Sequence, residues 1–269
     1  MSSNESDIQA SVSVQIEQVS KLYETREGEQ IVALDSTDIM IKPGEFVAVV
    51  GPSGCGKSTL LSLVAGLAPA SSGCIYIDGD EVKRTHPKIG MVFQSDLLLY
   101  WRTVLDNILL PLEIKKRKRS DYVDKAERLL AQVGLAGFGS KYPAELSGGM
   151  RQRVAICRAL IQMPGLLLMD EPFGALDALT REQMILDLQT LWLSVNNTVI
   201  FITHGIDEAV FLADRVLVMS PRPGRVDLDL RIDLPRPRSP DLHVDPRFNE
   251  YLLTIRRMFE SKGVLHRQH

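Results

Sequence analysis

The feature that most restricts the fold of this sequence is a glycine-rich loop between two segments of different periodicity. Residues 45–51, EFVAVVG, form a continuous apolar run that ends at glycine, which is typical of a strand buried in a parallel sheet. Residues 57–67, KSTLLSLVAGL, continue at a helical period. The loop at residues 51–59, GPSGCGKST, fits the pattern G-x-x-x-x-G-K-[ST] in the strand–loop–helix setting that the pattern requires. The junction therefore predicts an α/β fold built around a phosphate loop.

Each residue type in this phosphate loop (residues 51–59) has a physical reason to be there. Glycines let the backbone approach closely enough for its N–H groups to face phosphate oxygens, and the helix N-terminus adds a positive dipole. Lys57 is expected to reach the β- and γ-phosphates of a nucleotide, Ser58 to bind Mg²⁺, and Thr59 to lie near the α-phosphate. The alternative is a glycine turn without a ligand. The predicted nucleotide-binding residues of the loop are Gly51, Pro52, Ser53, Gly54, Cys55, Gly56, Lys57, Ser58 and Thr59.

Composition narrows the class of protein. The 269 residues are 45% hydrophobic and 24% charged, as in an ordinary globular protein, and the net charge of −3 gives no general attraction to nucleic acid or an anionic membrane. Three cysteines without metal-ligand spacing indicate reduced thiols. The polar N-terminus does not resemble a signal peptide, and no apolar run approaches the ~20 residues of a membrane helix. We expect any work at a membrane to depend on a partner.

The order of periodic segments predicts an α/β core interrupted by helices. Strand patterns occur on both sides of residues 97–163, where helical periods replace them, and residues 1–12 read as a disordered tail. The predicted strands are two edge strands at 13–24 and 31–42, a hairpin at 74–82, and buried strands at 45–51, 89–94, 166–172, 198–204 and 215–220. The expected organisation is an α/β core at 13–96 and 164–222, a helical subdomain at 97–163, and an extension at 223–269 containing one strand and an amphipathic helix.

An acidic pair follows the apolar run LLLM of residues 166–169. Asp170 and Glu171 therefore lie at the carboxyl end of a predicted buried strand, where α/β sheets bind ligands. Two adjacent carboxylates there would be costly without a cation, so Asp170 is a candidate for holding Mg²⁺ and Glu171 for activating water. The alternative is a pair that caps a helix.

Two more polar residues end predicted strands. Gln94 follows IGMVF, and His204 follows TVIFIT. Either alone would more often be an ordinary strand-end residue. With the phosphate loop and the acidic pair, the pattern predicts that Gln94 contacts Mg²⁺ and the attacking water, and that His204 binds the γ-phosphate.

A second glycine turn, Ser147, Gly148 and Gly149, opens another predicted helix and is also a potential anion site. One nucleotide cannot easily use both loops of one monomer, because the intervening helical segment carries the second turn away. We therefore predict that two copies related by a twofold axis enclose two ATP molecules, each between one phosphate loop and the partner's second glycine turn. The alternative is a plain helix N-cap.

These motifs resemble the ATP-binding subunits of ATP-binding-cassette (ABC) transporters over nearly the full length. GPSGCGKST looks like the Walker A motif, LLLMDEP like Walker B, LSGGMRQR like the signature and GALD (174–177) like the D-loop. Gln94 and His204 match the glutamine loop and the switch histidine, and Tyr23 the aromatic that stacks on adenine, with a half-buried strand tyrosine as its alternative. The resemblance implies a phosphate-loop NTPase core of RecA type, with a mainly parallel sheet, an antiparallel β subdomain and an inserted helical subdomain.

The stretch MSPRPGRV and the later LPRPRSP resemble the importer subfamily for nitrate, taurine and aliphatic sulfonates. This resemblance implies a MgATP-hydrolysing homodimer on the cytoplasmic face of the membrane, bound to permease subunits and supplied by an extracytoplasmic binding protein. Ser95 and Tyr100 depart from the pattern of that subfamily. Both lie in the segment that is expected to border the permease, where Tyr100 directly precedes Trp101. An exporter ATPase and a soluble ABC ATPase acting on nucleic acid or ribosomes are the alternatives. The basic run 115–119 predicts a solvated helix face, with contact to lipid headgroups or nucleic acid as the alternatives.

Overall fold

The computed structural model describes residues 10–264 of the chain, which form two compact units. The core unit comprises residues 11–87 and 198–264, and the inserted unit is Lys88–Asn197. The predicted helical segment 97–163 falls within the inserted unit. Its narrower boundaries, and those of the predicted core and extension, stay predictions. Residues 1–9 of the predicted tail lie outside the described part.

One sheet of the core unit is antiparallel. It contains β1 (Val14–Glu24), β2 (Gln30–Ile41), β4 (Ser72–Ile77) and β5 (Asp80–Glu81) in the order β2-β1-β4-β5. The prediction that β1 is an edge strand is wrong, because it pairs on one side with β2 and on the other with β4. Its alternating pattern reflects one buried face of an antiparallel sheet, a property that interior strands share.

The other strands of the core unit surround β3 (Phe46–Val50). β3 pairs in parallel with β8 (Thr198–Ile202) and with β9 (Arg215–Met219), and β10 (Val226–Arg231) lies antiparallel to β9. Every residue of β3 and β8 is buried, which explains why both read as continuous apolar runs. The predicted buried strands of this unit and the strand of the extension are confirmed.

Three helices belong to the core unit: α1 (Lys57–Val64), α6 (Ile206–Leu212) and α7 (Pro246–Ser261). α1 ends two residues before Gly66, whose φ of 67° is accessible to glycine at little cost. α7 is the predicted amphipathic helix, and it begins with a proline in its first turn after the capping Asp245.

The inserted unit contains two strands, β6 (Ile89–Val92) and β7 (Leu166–Asp170), paired in parallel. Its helices are α2 (Val104–Ile114), α3 (Val123–Gln132), α4 (Gly148–Leu160) and α5 (Ala178–Val195). Between residues 97 and 163, all of which the structure describes, helices replace strands as predicted. Within residues 10–264, no helix combines the length and apolarity needed to span a membrane.

Candidate functional site

The phosphate loop joins β3 to α1 in the core unit. Gly56 is the N-cap of α1, with a φ of 105°, and no side chain caps the helix. A left-handed N-cap favours glycine, because a side chain would be strained there. The backbone N–H groups of the first turn therefore receive no side-chain cap, and this is the arrangement in which a helix N-terminus can accept a phosphate.

Close backbone packing explains two of the loop glycines. A Cβ atom on Gly56 would lie 2.6 Å from the carbonyl oxygen of Ala33, and one on Gly51 would lie 2.8 Å from Cys55 Sγ and 3.1 Å from the Met219 carbonyl oxygen. All three distances are below ordinary van der Waals contact. The loop is thus supported from behind by β2 and by the end of β9, which fixes its path before any nucleotide binds.

Lys57, the first residue of α1, is only 4% exposed. Its Nζ donates to the carbonyl oxygens of Gly51 and Pro52, at 3.0 and 3.2 Å. A buried ammonium is tolerated only where acceptors compensate its lost hydration, and here the loop's own carbonyls do so. The ammonium is held inside the loop, in the position from which it could bind phosphate oxygens.

Three further predicted residues of the core unit, Ser58, His204 and Tyr23, lie at exposed positions. Ser58 is exposed in the first turn of α1, and its carbonyl oxygen accepts from Ser62 Oγ at 2.7 Å. His204 is exposed and lies two residues after the end of β8. Tyr23 is 43% exposed on β1, and Lys21 Nζ lies 5.1 Å from its ring centroid. Tyr23 is therefore a partly exposed strand tyrosine, and its stacking on adenine stays a prediction beside the alternative of a half-buried strand residue.

In the inserted unit, the acidic pair lies where the sequence predicts it. Asp170 is the last residue of β7, and Glu171 follows with a φ of 46°. A left-handed conformation at a non-glycine residue costs about 1–3 kcal/mol and is concentrated at functional sites. Gln94 Nε2 donates to Glu171 Oε2 at 3.3 Å, so the structure brings these two candidates together.

A cavity of about 670 Å³ lies beside this pair, within the inserted unit. It is lined by both predicted Mg²⁺ ligands of the unit, Gln94 and Asp170, and by Gly148 of the second glycine turn. Two residues that the sequence analysis did not single out also line it: Asp96 and Arg151, which form an ion pair with Nε 2.9 Å from Oδ2. Arg151 belongs to the quoted LSGGMRQR segment, so its position was available from the sequence, whereas its pairing with Asp96 was not.

The second glycine turn opens α4. Ser147 is the N-cap, and its Oγ accepts from the backbone N–H of Met150 at 3.3 Å. Ser147 and Gly148 are exposed, whereas Gly149 is buried. The N-cap alternative is thus realised as local structure, and it leaves the exposed face of the turn available for a second role. Farther along α4, burial raises the pKa of the Cys157 thiol to about 12, so this cysteine is a core residue and not a nucleophile.

The D-loop segment ends in a helix cap. Asp177 Oδ1 accepts from the backbone N–H of Thr180 at 3.0 Å at the start of α5. The backbone N–H and the side chain of Thr180 hold the pKa of the Asp177 carboxyl below its usual value. These three acidic residues therefore differ in role: Asp177 caps a helix, whereas Asp170 ends β7 and Glu171 follows it.

The residues present fit MgATP. The glycine cradle and the buried Lys57 suit the phosphates, and the hydroxyl and carboxylate oxygens of Ser58 and Asp170 are of the type that Mg²⁺ prefers. Among residues 10–264, no group of three or more His, Cys, Asp or Glu side chains could hold a metal on its own. In nucleotide sites Mg²⁺ usually has one or two protein ligands, which act together with phosphate oxygens.

The fold and the phosphate loop define the class: a phosphate-loop NTPase with an inserted helical region. Comparison with known proteins identifies the family. The family model described as ABC transporter matches residues 34–174. The chain belongs to the ABC transporter family, as the sequence motifs predicted, and is an ATP-binding ABC-type ATPase.

Two curated relatives cover nearly all of the chain. The chain is 45% identical over 253 residues to the taurine import ATP-binding protein TauB of Rhizobium johnstonii, covering 92% of this chain and 97% of TauB. It is 42% identical over 255 residues to the aliphatic sulfonates import ATP-binding protein SsuB of Bacillus cereus, covering 94% and 98%. Among solved structures, the dimeric bacterial ABC transporter cassette MJ0796 matches with a TM-score of 0.72 and 35% identity, covering 81% of this chain and 98% of that one.

Proposed function

We propose that this chain is the ATPase subunit of an ABC importer whose cargo is a small solute of the sulfonate, taurine or nitrate class. The observation that carries the proposal is the identity of 42–45% to two import ATP-binding proteins over at least 92% of this chain. The fold around the phosphate loop supports the ATPase part of this proposal. The chain would work at the cytoplasmic face of the membrane, bound to permease subunits. An extracytoplasmic binding protein would deliver the cargo to those subunits.

The chemistry follows from the residues of the two units. Lys57 would release its loop carbonyls and bind the β- and γ-phosphates, and the backbone N–H groups of the loop would bind the remaining phosphate oxygens. Tyr23 would stack on the adenine through the exposed part of its ring. Glu171 would orient and deprotonate the attacking water, since its carboxylate is already held by Gln94. His204 would donate a hydrogen bond to the γ-phosphate.

Mg²⁺ would be held by Ser58, Asp170 and Gln94, and it would neutralise charge on the phosphate oxygens. Water-mediated contact suits Asp170, because Mg²⁺ usually retains several waters. This ligand set is supported by the oxygen-donor chemistry of the three side chains and by their sequence motifs.

Two copies would form the ATP-bound state. Ser147, Gly148 and Gly149 of one copy would complete the nucleotide site of the other, an assignment supported by the exposed serine and glycine at the start of α4. The relative MJ0796 is a dimeric cassette by its description. ATP binding would close the pair and hydrolysis would open it, so the conformational step does the work on the permease.

The test is recovery of tagged Glu171→Gln protein from detergent-solubilised native membranes in ATP, followed by mass spectrometry. We expect a polytopic permease to copurify. Trp101, in the segment expected to border the permease, is 75% exposed, so Trp101→Ala should reduce this recovery. Tyr142→Ala is the matched control, because Tyr142 is also an exposed aromatic of the inserted unit, at 46%.

The binding protein encoded or purified with that permease would then be screened with taurine, aliphatic sulfonates and nitrate. Recovery of soluble proteins or nucleic acid alone would overturn the importer proposal and favour a soluble ABC ATPase. A membrane partner that functions without any binding protein would favour an exporter. Neither outcome would alter the ATPase assignment.

A further inference from the structure

The inference concerns the proline turn (residues 220–225, SPRPGR), which connects β9 to β10 in the core unit. The turn is closed by its own hydrogen bonds. The backbone N–H of Ser220 donates to the Arg225 carbonyl at 2.9 Å, and Ser220 Oγ donates to the Pro223 carbonyl at 3.1 Å. Pro221 and Pro223 each fix one backbone φ angle. The turn is therefore a stiff support for whatever packs on it.

Gly224 brings the proline turn against both β2 and the phosphate loop. Its N–H donates to the Ala33 carbonyl at 3.3 Å, and its carbonyl accepts from the Asp35 N–H at 2.8 Å. These two bonds form a parallel bridge between Gly224 and Leu34. A Cβ atom on Gly224 would lie 1.8 Å from the carbonyl oxygen of Cys55. Such a close approach to the loop backbone leaves room only for glycine.

Arg222 reaches the same loop one residue earlier. Its Nε and Nη2 both donate to the carbonyl oxygen of Gly54, at 3.3 and 3.2 Å. Gly54 has a φ of 74° and lacks a side chain, so the peptide group that follows it has few steric restraints of its own. A cationic donor on its carbonyl restrains the rotation of this peptide group, and charge-assisted bonds are stronger than neutral ones.

We propose that the proline turn positions the phosphate loop, with Arg222 and Gly224 acting as positioning residues that order residues 54–56 for binding the nucleotide phosphates. Gly224 limits how far the loop can retreat, and Arg222 sets the orientation of the peptide group at Gly54. Ordering a loop before its ligand arrives lowers the entropic cost of binding. The inference rests on the proposed function of the phosphate loop and adds two residues 168 or more positions away in sequence.

The experiment compares wild-type protein with Arg222→Ala, Arg222→Lys, Arg225→Ala and Lys57→Ala. The affinity of each for a fluorescent ATP analogue is measured with Mg²⁺, together with the amide hydrogen exchange of residues 53–57 without nucleotide and the melting temperature. Arg225→Ala is the matched control, since Arg225 lies in the same turn but donates to Asp227 at 2.8 Å. Lys57→Ala reports whether the loop binds nucleotide at all.

We expect Arg222→Ala to weaken nucleotide affinity by about three- to tenfold, the net range of one ordinary hydrogen bond, because the bonds to Gly54 are exposed to solvent. Exchange at residues 53–57 should become faster while the melting temperature stays close to that of Arg225→Ala, and Arg222→Lys should restore part of the affinity. The inference is overturned if Arg222→Ala binds like wild type while Lys57→Ala does not, or if Arg225→Ala loses as much affinity. If Lys57→Ala itself binds normally, the proposed function of the loop fails and this inference fails with it.

Discussion

The phosphate loop and the second glycine turn are both glycine-rich junctions that lead into a helix. They differ in how the N-terminus of that helix is capped. Gly56 caps α1 without a side chain, whereas Ser147 caps α4 by accepting from the Met150 N–H. The N-cap residue of the first junction has no side chain with which to cap the helix, whereas that of the second satisfies one N–H with its own hydroxyl. A complete phosphate cradle therefore belongs to the first junction, and the second can supply only supplementary donors.

Burial separates the two junctions further. Cys55 and Lys57 are buried in the core unit, and Gly56 faces the Ala33 carbonyl. By contrast, Ser147 and Gly148 are exposed, and a Cβ atom on Gly148 would meet nothing nearer than Arg151 Nη2 at 3.9 Å. One junction is enclosed by its own fold and the other presents an open surface. This difference is what a site completed by a second copy requires.

The prediction with the largest expected effect tests whether each ATP site combines the phosphate loop of one copy with the second glycine turn of the other. In a Glu171→Gln background, which should bind ATP without hydrolysing it, Lys57→Ala and Ser147→Ala are combined in defined heterodimers. If each site joins Lys57 of one copy to Ser147 of the other, one change per copy can place both defects in a single site. About one ATP per dimer should then remain after gel filtration.

Placing both changes on the same copy should instead damage both sites and leave little bound ATP. The unmutated Glu171→Gln dimer is the control, with about two ATP molecules expected from its twofold symmetry. The reverse pattern, with more ATP retained when both changes share one copy, would mean that each nucleotide uses both junctions of the same chain.

A prediction with a smaller expected effect compares the loss of stability when a glycine is replaced in the enclosed first junction and in the open second junction. Gly56→Ala places a Cβ atom 2.6 Å from the Ala33 carbonyl at a φ of 105°, so we expect it to lower the free energy of unfolding by about 2–4 kcal/mol. Gly148→Ala meets open space in a helix and should change it by less than about 1 kcal/mol. Urea unfolding without nucleotide measures both, and equal losses would remove the structural distinction.

The contrast also shows what sequence patterns can predict. Strand–loop–helix order, the buried strands β3, β7 and β8, and the helical stretch before Met163 follow from local periodicity, so all were predicted. The position of β1 inside its sheet was not, because alternation reports one buried face and not the number of paired neighbours. The sequence patterns also did not predict where α2 and α5 begin and end.

Site residues divide in the same way. Lys57, Glu171 and Ser147 occur in short motifs, so their candidacy was visible from the sequence. The bond from Arg222 to Gly54 and the contact of Gly224 with Cys55 join segments about 170 residues apart, and no local pattern encodes such a pairing. The left-handed conformation of Glu171 also depends on the surrounding structure, since a non-glycine residue does not adopt it by preference.

The smallest expected effect separates the two roles of Ser147. Ser147→Ala removes the acceptor for the Met150 N–H and should lower the free energy of unfolding by about 1 kcal/mol, the usual cost of losing an N-cap. Ser147→Asp should keep that stability, because aspartate caps helices as well as serine does. Its carboxylate would face the partner's ATP phosphates, however, so ATP-dependent dimerisation in the Glu171→Gln background should be lost. Urea unfolding and sedimentation velocity measure the two effects separately. If Ser147→Asp dimerises with ATP as the parent does, Ser147 is only a cap and the trans assignment must rest elsewhere.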